Sequence, residues 1–181
     1  MDHPRSGFAA PPQGGTAGGL AEPDPRRSLG NSTASLLAAY LAACSTQREP
    51  FSWGAHNCCH FAAGWVRFAG RVDPMAYLPP TPDVRAALRL VQQLGGDLRC
   101  AWSRQLGAEP VAAAHAQTGD IVLVPTGDIV AALAGRGTGH VAGVCSGRHA
   151  VLQTADGSIA FVPLTSAVCA WHLPALELAA A

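Results

Sequence analysis

The sequence predicts a single α+β domain, on three observations. Apolar residues recur at helical spacing between Asn31 and Leu106, and from Gly119 onward they gather into short strand-like runs separated by Gly-containing turns. The helices also precede the strands instead of alternating with them. At 181 residues the chain suffices for one hydrophobic core and is short for two.

Residues 1–30 are rich in Gly, Pro, Ala and Arg and poor in large apolar side chains, so burial cannot offset the entropy of ordering them and a disordered tail is expected. Asn31, Ser32 or Thr33 caps a first helix running to about Cys44, with Leu36, Leu37, Tyr40 and Leu41 on its inner face and 47–50 as its stop. A second helix over 58–69 carries Cys58, Phe61, Ala62, Trp65 and Ala69 on one stripe and closes at Gly70, while Gly64 within it implies a neighbour packed close. After a Pro-rich connector over 73–82, a third helix is expected with Thr81 as cap and Pro82 in its first turn. Val84, Leu88, Val91 and Leu94 form its inner stripe, and Gly95-Gly96 stops it. A short helix over 98–106 ends at Gly107. Residues 120–124 read as an apolar strand and 127–139 as a loop holding a short helix at 129–133. Further strands are expected over 140–145, 149–154, 159–163 and 168–173, with hairpin turns at Ser146-Gly147 and Asp156-Gly157. The folded domain is thus placed at 31–175 and a C-terminal tail at 176–181.

Composition narrows the function. Apolar residues make up 49% of the chain, the formal net charge is zero, and every basic side chain besides His is an Arg, scattered singly. No basic patch advertises a nucleic acid or an anionic membrane as partner. Residues 1–30 lack the basic start and apolar core of a signal peptide and no run is long enough to span a bilayer, so the cytoplasm is the expected location. Six cysteines without a CxxC pair are expected as free thiols, with Cys44, Cys100, Cys145 and Cys169 as small buried side chains.

The chemistry centres on 50–61, where Pro50-Phe51-Ser52-Trp53-Gly54 leads to Cys58 and Cys59 at the start of the second helix. A thiol in a first turn sits near unsatisfied N–H groups and the positive end of the dipole, which favours the nucleophilic thiolate. Such a nucleophile needs a base, and the base an orienting partner. Among the seven histidines, hairpin arithmetic selects His140. With a two-residue turn at Ser146-Gly147, His140 falls opposite Gln153, Ala142 opposite Val151 and Val144 opposite His149, so the Gln153 amide can hold the imidazole across about 5 Å. Cys59 is assigned to packing against Ala63 and Val66.

Taken in order, Pro50-Phe51-Ser52-Trp53-Gly54, Asn57-Cys58, Gly119-Asp120-Ile121-Val122 and His140-Val141-Ala142-Gly143-Val144 resemble the signature of NlpC-type papain-like cysteine peptidases. In that family a P-Y-x-W-G approach leads to D-C-S-G at a helix start, a G-D-hydrophobic strand follows, and H-V-G-I-Y supplies the base. The likeness covers roughly residues 35–173, and in spacing it is closer still to phage- and prophage-encoded domains with a W-G-x-x-D-C-C-x-F-A-A motif. The resemblance implies a papain-like fold with Cys58 as nucleophile, His140 as base, Gln153 as orienting group and the Cys58 N–H in the oxyanion hole. It also implies cofactor-free hydrolysis of amide bonds in peptidoglycan stem peptides. Asn57 stands where the family has an acid, Phe51 where it has a Tyr, and the loop from Trp53 to Cys58 is shorter.

Two other readings stay open. A papain-like domain without turnover could serve as a structural or binding piece among phage structural proteins, as in a tail-tip assembly. His56, Cys58, Cys59 and His60 form an H-x-C-C-H cluster of zinc-type donors. Structural zinc sites, however, pair ligands two to four apart from two separate places, so no metal is expected.

Overall fold

Side-chain caps set the helix starts in the structure, a computed structural model that describes residues 32–127 and 139–173. Ser32 opens α1 (Thr33–Gln47), Asn57 opens α2 (Cys58–Phe68), Asp83 opens α3 (Val84–Gln93) and Asp97 opens α4 (Leu98–Leu106). Each cap accepts from first-turn N–H groups that have no partner within the helix. The expected tails at 1–30 and 176–181 and the short helix at 129–133 lie outside the described residues.

Two expectations for α3 are corrected. Its cap is Asp83, whose carboxylate accepts from the Ala86 N–H at 2.8 Å, while the Thr81 hydroxyl donates to the Trp53 carbonyl at 2.8 Å. Its apolar stripe is not buried: Val84 and Leu88 are 38% and 43% exposed. The Leu90, Val91 and Leu94 edge lines a small apolar cavity with Leu98 and Trp102 of α4.

Strands β1 (Ile121–Pro125), β2 (His140–Ser146), β3 (His149–Gln153), β4 (Ile159–Pro163) and β5 (Cys169–Trp171) form an antiparallel sheet in the order β4-β3-β2-β1-β5. The first four make a meander, and a 3-10 turn at Leu164–Ser166 precedes β5, which pairs with β1 at the far edge. One sheet face packs under α1, α2 and α4, with Ile121, Leu123, Ala142, Val144 and Trp171 against Leu37, Phe61, Trp65 and Trp102. The other face buries Val122, Val124, Val141, Cys145 and Leu152 beneath Val111, Ala116 and Leu164. Burial of both faces explains why these strands read as continuous apolar runs. Helices first and an antiparallel sheet second give the α+β class expected.

Two contacts fix α2 against its neighbours. A Cβ at Gly64 would meet the Tyr40 hydroxyl at 2.8 Å, so α1 packs as closely as that glycine implies. The Trp65 indole N–H donates to the Gly119 carbonyl at 2.6 Å, tying α2 to the approach of β1. All six cysteines are free. Cys145 and Cys169 are buried as expected, Cys44 is half-buried, and Cys100 is exposed because the inner face of α4 is taken by Leu98, Ala101 and Trp102. Among the described residues no helix is long and apolar enough to cross a membrane.

Candidate active site

The segment before α2 folds into a tight turn. Ser52 and His56 exchange both backbone hydrogen bonds, at 2.7 and 3.1 Å, and the Ser52 hydroxyl oxygen accepts from the Ala55 and His56 N–H groups. The Trp53 carbonyl accepts from the Asn57 amide at 2.9 Å, and Asn57 Oδ1 accepts from the N–H groups of Cys59 at 2.9 Å and His60 at 3.1 Å. One side chain thus anchors backward and caps forward, which fixes where Cys58 stands.

Cys58 is the first residue of α2 and is half-buried. Its thiol is held below the ordinary range, foremost by a hydrogen bond from the Cys59 thiol; burial opposes this, and the backbone N–H groups of Ala142, Cys59 and Cys58 add to it. Cys59 is pushed well up by the same hydrogen bond and then by burial.

The sheet supplies the Ala142 amide. Pairing of β2 with β3 runs from Ser146↔His149 to Val144↔Val151 and stops. In an antiparallel strand alternate amides point to alternate neighbours. Cys145 bonds toward β1, so Ala142, three residues away, points toward β3, beyond the end of that ladder, and meets Cys58 instead.

The same register corrects the expected turn. Ser146 pairs with His149, so the turn is Gly147-Arg148 and not Ser146-Gly147. Gly147 at φ 68° occupies the first central position, where positive φ suits a tight hairpin. The pairing sum rises by two, and His140 does not lie opposite Gln153. Side-chain parity is unchanged by a shift of two, so His140 shares the strand face of Ala142 and Val144, the face on which α2 packs. From α4, the Asp97 carboxyl is lowered chiefly by the Cys100 N–H and, among smaller influences, by the charge of His140.

Gln153 pairs with Ile159 and lines a cleft of about 430 Å³ together with His56, His60, Tyr40 and Glu49. In it His56 Nε2 pairs with the Glu49 carboxylate. The His60 imidazole is pushed down by burial and then by His56, and its Nδ1 is buried without a hydrogen-bond partner. The structure therefore sets Cys58 against the strand that carries His140 and places Gln153 beside His56 and His60. The H-x-C-C-H side chains diverge, His56 toward Glu49, Cys58 toward Ala142 and Cys59 toward Trp102. Among the described residues no group of three or more His, Cys, Asp or Glu could hold a metal ion.

Sequence reasoning missed two features. The Ala142 amide is a backbone group that no residue type advertises. Asp120 is buried, accepts from the N–H groups of Gln117 at 2.7 Å and Leu173 at 3.2 Å, and pairs with His172 Nδ1 at 2.7 Å, stapling the ends of β1 and β5. Its signal was the acid of the Gly119-Asp120 doublet, read only as a strand start.

Fold and site together define an α+β protein with a thiolate-favoured cysteine at a helix start, set against an unladdered amide of its sheet. The chain belongs to the family described as Domain of unknown function (DUF6950), whose model matches residues 31–173. No curated protein and no solved structure matches it.

Proposed function

We propose that the domain is papain-like and acts as a thiol hydrolase of the amidase or endopeptidase type, with Cys58 as nucleophile and His140 as acid–base. The observation that carries this is the placement of Cys58 at the Asn57-capped start of α2, packed on the face of β2 that carries His140, and the direction of its thiol, held below the ordinary range, agrees with it. In the first step the Cys58 thiol passes its proton to His140 and its sulfur attacks an amide carbonyl carbon, the oxyanion is met by the Cys58 N–H, and the C–N bond breaks as His140 gives that proton to the leaving amine. Water then surrenders a proton to His140 and attacks the thioester, releasing the carboxylate and regenerating Cys58. Peptidoglycan stem peptide is the substrate class, on the resemblance of the Pro50–Gly54, Asn57-Cys58, Gly119–Val122 and His140–Val144 motifs to NlpC-type peptidases.

A second reading is favoured by one observation. Gln153 lies across from Ile159 in the His56 cleft and not opposite His140, so the site departs from the cross-strand arrangement expected of the family. The domain would then be a catalytically silent component of a phage particle. The test is incubation of purified sacculi with wild type and with Cys58→Ala, followed by quantitation of released amino groups. Release by wild type alone supports the hydrolase; equal release by both, or none by either, overturns it.

A further inference from the structure

The sheet has two edges, and the chain closes one of them. Beyond β5, Val111 and Ala170 exchange both backbone hydrogen bonds, at 2.7 and 3.0 Å. At the opposite edge, among the described residues, no strand pairs with the outer side of β4. The Leu164 N–H donates to the Arg148 carbonyl and the Thr154 N–H to the Ser158 carbonyl, so the even-numbered residues from Ser158 to Leu164 turn their backbone groups to β3. Alternate residues of an antiparallel strand face opposite neighbours, which leaves the backbone groups of Ile159, Phe161 and Pro163 turned outward. Phe161 lies opposite Val151, on the helix side of the sheet, and is 57% exposed. It lines an apolar groove of about 420 Å³ with Ala34, Ala38 and Leu41 of α1. Neither α1 nor β4 contains a charged residue, although Ala34, Ala38 and Phe161 are exposed.

We propose that the β4 edge is the contact surface for a second copy of this chain, joined antiparallel about a two-fold axis at Phe161 so that the two sheets become continuous. Self-pairing matches the groups the edge offers. Phe161 exchanges both of its bonds with Phe161 of the second copy, and the Ile159 N–H of each copy reaches the Pro163 carbonyl of the other. Pro163 has no N–H to give, so the Ile159 carbonyl is left to water at the rim. Charge favours this direction. Arg148 stands beside Leu164 at one end of β4 and Asp156 beside Ser158 at the other, with Arg48 and Glu49, opposite in charge to each other, behind that second end. An antiparallel junction sets the Arg148 end of each copy against the Asp156 end of the other, a reciprocity that an extended peptide from an unrelated protein does not supply. A two-fold axis normal to the sheet keeps both helix layers on one side, where the uncharged faces of the two α1 helices meet above the paired Phe161 rings. Strand β3 separates β4 from β2, so the junction leaves the strand that carries His140 and Ala142 untouched and does not depend on the thiol-hydrolase reading.

The test is sedimentation velocity of the full chain over a range of concentrations, with a reductant present so that the exposed Cys100 forms no intermolecular disulfide. Wild type is expected to shift from the monomer mass to double that mass as concentration rises, with hydrogen exchange at the Ile159 and Phe161 amides slowing in step. Phe161→Glu and Phe161→Lys each set like charges against each other across the axis, and each alone is expected to stay monomeric where wild type is a dimer. Phe161 is exposed, so neither substitution opens the core. Mixed in equal amounts, the two variants oppose unlike charges and recover the doubled mass, which unfolding of either one could not produce. A wild type that stays monomeric throughout overturns the pairing, and so does a mixture that fails to associate. A Phe161→Glu dimer as tight as wild type also overturns it, by placing the contact on another face such as the exposed Val84 and Leu88 of α3.

Discussion

Asn57 is the residue on which the geometry of the site converges, and its replacement by Ala has a definite expected cost. The substitution removes the acceptor for the Cys59 and His60 N–H groups and the amide that donates to the Trp53 carbonyl. Loss of an N-cap costs about 1 kcal/mol. Loss of the Trp53 bond adds roughly 0.5–1 kcal/mol, at the low end because Thr81 still donates to that carbonyl. The sum of about 1.5–2 kcal/mol corresponds to roughly 3–8 °C in Tm for a domain of this size. Urea unfolding measures the stability, and alkylation of Cys58 at pH 7 measures the site, which is expected to slow severalfold as the first turn loosens. Asn57→Ser keeps a capping oxygen without the amide donor and should recover about 1 kcal/mol. A loss below about 0.5 kcal/mol for Asn57→Ala, or a Ser variant no better than Ala, would refute the assignment of Asn57 as both cap and anchor.

Gly143→Ala places a Cβ 2.5 Å from both the Val151 carbonyl oxygen and Leu152 Cδ2, and is expected to cost about 1–3 kcal/mol in urea unfolding; stability equal to wild type would contradict the close strand approach. Asp120→Ala leaves the Gln117 and Leu173 amides without their acceptor and should cost about 2–4 kcal/mol, and a near-neutral result would mean those donors find water. Burial pushes up the thiols of Cys44, Cys145 and Cys169, and for Cys59 the hydrogen bond to Cys58 does so first and burial second. These groups hold protons more tightly folded than unfolded, so their contribution is full below the ordinary thiol pKa of about 8.5 and is lost as pH rises through it. Cys58 acts in the opposite sense, its contribution being present above that value and lost as pH falls. The exposed Cys100 is raised as well, first by its hydrogen bond with Asp97, so with five thiols against one the urea midpoint should decline as pH is raised above about 8.5, and a flat or rising midpoint would reverse the sign.

Local signals were legible in the sequence and distant partners were not. The helix over 98–106 and the strand over 159–163 have the bounds read from periodicity, Gly107 and Pro163, because caps and stops act within a turn of the chain. Thr81 resembles a helix cap as much as Asp83 does. Its actual partner is the Trp53 carbonyl, 28 positions upstream, which only the folded chain brings near. The turn was misplaced by one residue because Ser146-Gly147 and Gly147-Arg148 both hold the glycine, and the choice rests on which central position takes positive φ. That error shifted the register by two, so every side chain of β2 and β3 kept its face while Gln153 moved from the position expected opposite His140. The stripe on α3 was read correctly as periodicity and wrongly as burial, since periodicity does not say how much of a helix edge another element covers.

The site has a physical origin at Gly143. Without a side chain there, the Val151 carbonyl comes within a distance that any Cβ would forbid, and the β2–β3 ladder ends one residue earlier in β2, at Val144. Had the ladder continued, Ala142 would have paired with β3 and its amide would have been consumed by the sheet. Because it ends, the amide is available just where Asn57 starts α2, and Cys58 gains a donor that helix position alone would not supply. The register set by the turn moves Gln153 away from the position opposite His140, and the end of the ladder leaves the Ala142 N–H to Cys58. A mutation restoring regular pairing past Val144 should stabilise the sheet and raise the Cys58 thiol together, an opposition expected where a site is made from a break in regular structure.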